Sequence, residues 1–183
     1  MRASLRAIPL YCLASFVATT AATAGQRDGQ YGFATNIGFA YPRTSNTYAS
    51  DQTLNFAFEY EKTSYASYRG TAGFLTISSR EPVSPAAGTR DADALYVTGN
   101  IVLTARFAVL HPFFTAGIGA YSFRMSDNLG SKHTLDLGAN WGVGMDLQLL
   151  RHFSLRGEYL FHYTTADITN PLETFTLGGR FTF

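Results

Sequence analysis

The stretch from Thr134 to Thr164 alternates with a strict period of two, and this constrains the fold more than any other feature. Leu135, Leu137, Ala139, Trp141, Val143, Met145, Leu147 and Leu149 occupy one parity. Asp136, Gly138, Asn140, Gly142, Gly144, Asp146 and Gln148 occupy the other. After a break at Leu150-Arg151 the pattern resumes, with Phe153, Leu155, Tyr159 and Phe161 set against Ser154, Arg156, Glu158 and His162. Successive side chains leave a β-strand on opposite faces, so this is a hairpin with one bulky apolar face. The other face is glycine, small polar groups and isolated charges. A soluble sheet seldom builds its wet face that way, because glycine is depleted from ordinary strands. Glycine and scattered charge suit the crowded inside of a small closed barrel whose bulky face points outward into lipid.

The rest of the chain repeats the pattern. Further strands are predicted over 31–41, 53–61, 66–78, 94–106, 112–124 and 173–183. In the third, Tyr68 and Phe74 are expected outward and Arg69, Thr71 and Gly73 inward. The fifth is ambiguous, since Phe113, Phe114, Tyr121 and Phe123 share no parity. Pro112 is expected to open that strand. The connections, at 42–52, 62–65, 79–93, 107–111, 125–133, 150–151 and 166–172 with flanking Thr165, are alternately long and short. That alternation belongs to an up-and-down barrel with long loops outside and short turns on the periplasmic side. The fold class expected is all-β: an eight-stranded antiparallel up-and-down transmembrane β-barrel, with both termini periplasmic.

The first residues stand apart. Arg2 and Arg6 precede an apolar core over Ala7–Ala18, and Ala22-Thr23-Ala24 supplies a cleavage site, so residues 1–24 read as a signal peptide and 25–183 as the barrel domain. The only cysteine, Cys12, falls in that leader, which excludes disulfides and thiolate metal sites from the mature chain. Without the two leader arginines, 12 basic residues face 13 acidic ones, so no basic excess remains for nucleic acid. Aromatic residues make up 15% of the chain, apt for interfacial girdles, and Tyr31, Phe153, Phe181 and Phe183 are expected as interface anchors.

The last strand carries the resemblance. Leu177-Gly-Gly-Arg-Phe-Thr-Phe183, with Leu177, Gly179, Phe181 and Phe183 on one parity, resembles the C-terminal assembly signal of bacterial outer-membrane barrels. The whole mature chain resembles the small eight-stranded outer-membrane β-barrel proteins of the OmpA and OmpX transmembrane type. The resemblance implies a monomer in the outer membrane, surrounded by lipid and lipopolysaccharide, whose last strand the barrel-assembly machinery reads.

An eight-stranded barrel is only wide enough for its own side chains, so an open diffusion pore is not expected. Pairing across the turns sets Asp146 opposite Arg156, Glu59 near Arg69, and Glu158 opposite Arg180. These six residues are expected to form a salt-bridge ladder in the lumen, near its periplasmic half. The role expected by this reading is structural, or interaction with an external partner through the loops at 42–52 and 79–93. An enzymatic alternative starts from His162-Tyr163-Thr164 with Glu173 downstream, which is similar to the His-x-Ser and Glu of outer-membrane lipid A deacylases. That resemblance would make His162 the general base, Thr164 the nucleophile and Glu173 the orienter. Thr164 stands where that family has serine, and alternation turns His162 into the lumen, so a histidine bonded to polar neighbours is preferred. A soluble lipocalin-like carrier, with bulky residues turned inward, is the third class. No cofactor is expected. His111, His133 and His152 lack metal-ligand spacing, so no metal site is expected either.

Overall fold

A computed structural model describes residues 29–42, 48–49, 51–79, 91–127, 130–165 and 171–183. It contains strands β1 (Gln30–Pro42), β2 (Tyr48–Ala49), β3 (Asp51–Thr63), β4 (Ala66–Ser79), β5 (Asp91–Thr104), β6 (Leu110–Asp127), β7 (Gly130–Leu150), β8 (Phe153–Thr164) and β9 (Leu172–Thr182). Apart from the two-residue β2, which pairs with the end of β4, each strand joins its chain neighbours antiparallel, and β9 returns to pair with β1. The eight long strands therefore close into an up-and-down barrel with no open edge along its length.

Closure fixes the size. Following paired residues around the wall from Tyr31 leads through Tyr60, Tyr68, Ile101, Ala116, Trp141, Phe161 and Glu173 to Tyr41. The circuit returns to β1 displaced by ten residues. Eight strands with that stagger tilt by about 40° and enclose a tube roughly 8 Å in backbone radius.

Alternation then sorts the side chains. Outward positions carry Phe33, Ile37, Phe58, Tyr68, Leu95, Ile118, Trp141, Leu177 and many more large apolar groups, with Ile118 74% exposed. Inward positions carry Asn36, Glu59, Arg69, Asn100, Asp146, Arg156 and Arg180, all buried. Most large apolar groups face out, and among the described residues every strongly buried charge faces in, opposite to the arrangement a lipocalin-like carrier requires. An apolar surface of this extent is at equilibrium in hydrocarbon, not in water.

Both described chain ends and the three short connections lie at one end, here the turn end. Tyr31 N–H and the Phe183 carbonyl are 3.1 Å apart, and Gly29 N–H bonds the Glu61 carbonyl at 2.7 Å. The longer connections lie at the opposite, loop end. Residues 1–24, the expected leader, lie outside the described residues, as do 43–47, 80–90 and 166–170 in the expected loops.

The boundaries differ from expectation in instructive places. The expected connection over 125–133 shrinks to 128–129, because β6 and β7 remain paired as far as Asp127 and Gly130. Above the apolar belt both faces of a strand are wet, so polarity no longer separates strand from loop. The turn expected at 107–111 is tighter and earlier. Phe107 and Leu110 exchange backbone hydrogen bonds of 2.8 and 2.7 Å around Ala108-Val109, and Ala108 takes φ 47°. Pro112 is consequently the third residue of β6, not its first. Replacing a mid-belt outward residue tests the inverted packing. Ile37→Arg should destabilise the barrel in phospholipid vesicles by about 2–4 kcal/mol, read from urea unfolding followed by tryptophan fluorescence; an unchanged midpoint would contradict a hydrocarbon surround.

Candidate functional site

Among the described residues, chemistry-bearing side chains gather in the lumen, which is stacked in three layers. The layer at the turn end is ionic. Arg156 grips Asp146 with two bonds, Nε to Oδ1 at 2.7 Å and Nη2 to Oδ2 at 2.8 Å, and its Nη1 also donates to Glu59. Arg69 donates from Nε to Glu59 at 2.5 Å and from Nη1 to Glu158. Arg180 donates from Nε to the other oxygen of Glu59 at 2.8 Å and from Nη2 to Glu61. Glu61 in turn accepts from Arg106 at 2.7 Å. Four guanidinium groups thus face four carboxylates, and Glu59, 1% exposed, is bonded to three of the arginines. Phe113 lies beneath two of them, its ring 5.0 Å from the Arg69 guanidinium and 4.8 Å from that of Arg156. Such contacts strengthen when water is excluded.

Local register explains who meets whom. Glu59 lies directly across from Arg69, and Asp146 across from Arg156, each within one hairpin. Glu158 and Arg180 do not face each other as expected: Glu158 is registered with Thr176, and Arg180 with Ser154. Arg180 sits lower on the wall than a symmetric loop would put it, so it reaches across to β3 while Glu158 reaches β4. Glu61 and Arg106 were not foreseen as network members. Glu61 shares the inward parity of Glu59, a signal available in the sequence. Arg106 follows the end of β5 in a turn, where parity no longer applies.

The middle layer is uncharged and polar. Asn36 donates to Asn55 at 2.8 Å, and Thr98 to Asn100 at 2.8 Å. Asn100 continues to Asn140 at 2.5 Å. Towards the loop end the lumen becomes aromatic and aliphatic: Tyr96, Tyr121, Phe123, Leu75, Ile77 and Leu172 form one buried cluster. Tyr96 and Tyr121 stack with centroids 5.7 Å apart. Glycine makes room for these rings. A Cβ on Gly73 would collide with the Tyr96 ring, and one on Gly144 with Phe113. The parity unresolved in β6 is thereby settled: Phe113, Tyr121 and Phe123 point in, and Phe114 points out.

His162 sits at the junction of the polar and aromatic layers. Its Nδ1 is 2.9 Å from the Tyr121 hydroxyl, and its Nε2 is 3.2 Å from Thr174 Oγ1. With the tyrosine donating to Nδ1, the Nε2–H is left to donate to Thr174. Glu173 belongs to the opposite, outer face of β9, where it accepts a hydrogen bond from Tyr159. His162 and Glu173 are therefore separated by the barrel wall, and the arrangement His162, Thr164, Glu173 is not assembled as a catalytic unit. Leu177, Phe181 and Phe183 line the outer face of β9, and the Phe183 ring lies 6.3 Å from Tyr31.

A family described as "Outer membrane protein beta-barrel domain" has a sequence model that matches residues 10–183. The chain belongs to this family. Solved structures of bacterial outer-membrane barrels share the fold. Neisserial surface protein A superposes with a TM-score of 0.64 at 13% identity, covering 87% of this chain and 100% of that one. Ail, the attachment invasion locus protein of Yersinia pestis, solved with the heparin analogue sucrose octasulfate, gives 0.60 at 15%, covering 85% and 99%. The outer membrane protein OprG of Pseudomonas aeruginosa gives 0.61 at 14%, covering 87% and 98%. No curated protein matches the sequence. The chain is a bacterial outer-membrane β-barrel.

In this outer-membrane barrel Glu59 is the group on which the ionic layer converges. Glu59→Gln leaves three buried guanidinium groups short of one negative charge, and should lower stability by about 3–5 kcal/mol. Glu158→Gln, which removes only the Arg69 partner, should cost less. Urea titrations of the refolded variants in vesicles order the two, and an equal loss would refute the convergence on Glu59.

Proposed function

We propose that this outer-membrane barrel is a closed, monomeric envelope protein that acts through its structure and its loops, with both termini in the periplasm and no open diffusion path. The observation that carries the reading is the ionic layer. Four arginines and four carboxylates bond to one another across the lumen, so the charges neutralise each other and hold the strands together. A conducting lumen would need water and unpaired charge along the axis, whereas this one narrows to bonded side chains at one end and to a ring cluster at the other. Short turns at the end that holds both termini support the periplasmic assignment, since barrels of this class place their long loops outside. Recognition then falls to the segments at 42–52 and 79–93, with lipid and lipopolysaccharide around the wall and the assembly machinery acting on the last strand. A lipid A deacylase reading has no assembled site to support it.

Planar-bilayer recordings test the closed lumen. The purified wild-type barrel should give no steady ohmic conductance, whereas Glu59→Ala/Asp146→Ala, which unties Arg156, should give intermittent openings. A stable open channel from the wild type would overturn the reading. Overproduction of wild-type protein or His162→Ala should leave the acyl pattern of lipid A unchanged by mass spectrometry.

A further inference from the structure

Among the described residues, the outer wall has an interruption near the turn end that the inward-facing chemistry does not explain. Gly70 on β4 and Gly99 on β5 are directly paired, both outward, and a Cβ on either would meet nothing within 4 Å. Two missing side chains in a wall of bulky ones leave a groove of about 460 Å³ bordered by Phe58, Tyr60, Tyr68 and Ile101. Interior glycines here make room for rings or backbone, but these two make room for nothing in the chain itself. Inside a strand glycine weakens the structure and gives no packing, so an empty paired site calls for an occupant from outside.

The charge at the groove's rim indicates what that occupant is. Lys62 is exposed two residues beyond Tyr60 on the outward face of β3, with its ammonium group 5.8 Å from the centroid of the Tyr68 ring. Phe58, the residue registered with Gly70, is four residues up the strand, which places the groove roughly 13 Å from Lys62. Among the described residues the turn end presents Lys62 and Arg151 as exposed charged side chains, while its side-chain carboxylates, Glu59, Glu61, Asp146 and Glu158, are all buried in the lumen. The exposed charged side chains described on the outside of that rim are therefore cationic, with two tyrosines at the level between headgroup and hydrocarbon.

We propose that this face binds one anionic glycerophospholipid, its phosphate on Lys62 and the middle of an acyl chain in the Gly70–Gly99 groove. The spacing suits it: a chain anchored by its phosphate beside Lys62 passes Tyr60 and Tyr68 before reaching the glycines. The choice of a glycerophospholipid rests on the periplasmic assignment of the turn end proposed above and not on the closed lumen, and a titration in detergent reads the groove whichever way the barrel is oriented.

Native mass spectrometry of the full-length barrel in detergent, titrated with phosphatidylglycerol and with phosphatidylethanolamine of the same acyl chains, tests the site. Wild type should retain a single phosphatidylglycerol in preference to phosphatidylethanolamine. Gly70→Val/Gly99→Val fills the groove and should weaken retention of either lipid by about tenfold. Lys62→Gln should keep the groove but reduce the preference for phosphatidylglycerol about fivefold. Val143→Leu, on the β7 wall, should change neither. Valine favours strands and meets no obstacle at the two glycines, and the heat-dependent gel shift of a folded barrel verifies the variants. Retention unaffected by the valine pair overturns the groove, and an undiminished preference in Lys62→Gln overturns the headgroup contact.

Discussion

A tube of eight strands closed with a ten-residue stagger is too narrow to hold bulk water, so a charge that points into it must find another charge. The lumen of this protein follows from that constraint. Glu59 cannot be satisfied by solvent, and Arg69, Arg156 and Arg180 reach it from three other strands. None of those arginines is satisfied by Glu59 alone, and each passes the requirement on to Glu158, Asp146 or Glu61. The network spreads until the last guanidinium, Arg106, reaches the mouth of the tube, where it also donates to the Ser64 carbonyl at 2.7 Å.

The same constraint explains what could be read from the sequence and what could not. A strand in this wall has lipid on one side and a packed lumen on the other, so alternation is strict wherever both environments are present. Strand parity around Trp141, Arg156 and Arg69 was legible for that reason, as were the Asp146–Arg156 and Glu59–Arg69 pairs, which depend only on tight turns. The partner of Arg180 was not, because its register depends on a longer connection and a shift of a few residues exchanges one inward neighbour for another. The aromatic layer was hidden in a different way. Phe113, Tyr121 and Phe123 are as bulky as the lipid-facing residues, so hydrophobicity leaves the facing of their strand ambiguous. Inward glycines supply the volume that lets two of them point inside, Gly144 beside Phe113 and Gly138 beside Tyr121. The three-strand extension of β5, β6 and β7 was missed because, clear of the membrane, alternation carries no information.

The ordering of layers along the axis also has a physical reason. Ionic groups occupy the end where the turns are short and the wall is tightly registered, and rings occupy the end where the connections are long. Ion pairs lose most of their worth when their geometry slackens, because desolvation is a fixed cost and the compensating attraction depends on close contact. Packed rings tolerate small displacements of the wall, since dispersion contacts are many and individually weak. His162 lies at the boundary, bonded to a hydroxyl on each side, and so joins a layer held by hydrogen bonds to one held by packing.

The network also distinguishes an open sheet from a closed one. Glu59–Arg69 and Asp146–Arg156 join residues ten apart, so each hairpin carries its own neutral pair before the barrel exists. Glu59–Arg156 and Glu59–Arg180 join residues 97 and 121 apart, across the lumen. The internal pair reduces the lone charge a hairpin would bring into a low dielectric to one carboxylate, Glu61 on β3 or Glu158 on β8. The cross-lumen bonds form only once β3 and β4 face β8 and β9 around a complete wall. Local pairing lowers the charge these hairpins bring to the membrane, and the long-range bonds, which also pair Glu61 and Glu158, then favour the closed tube over any open arrangement of the same hairpins.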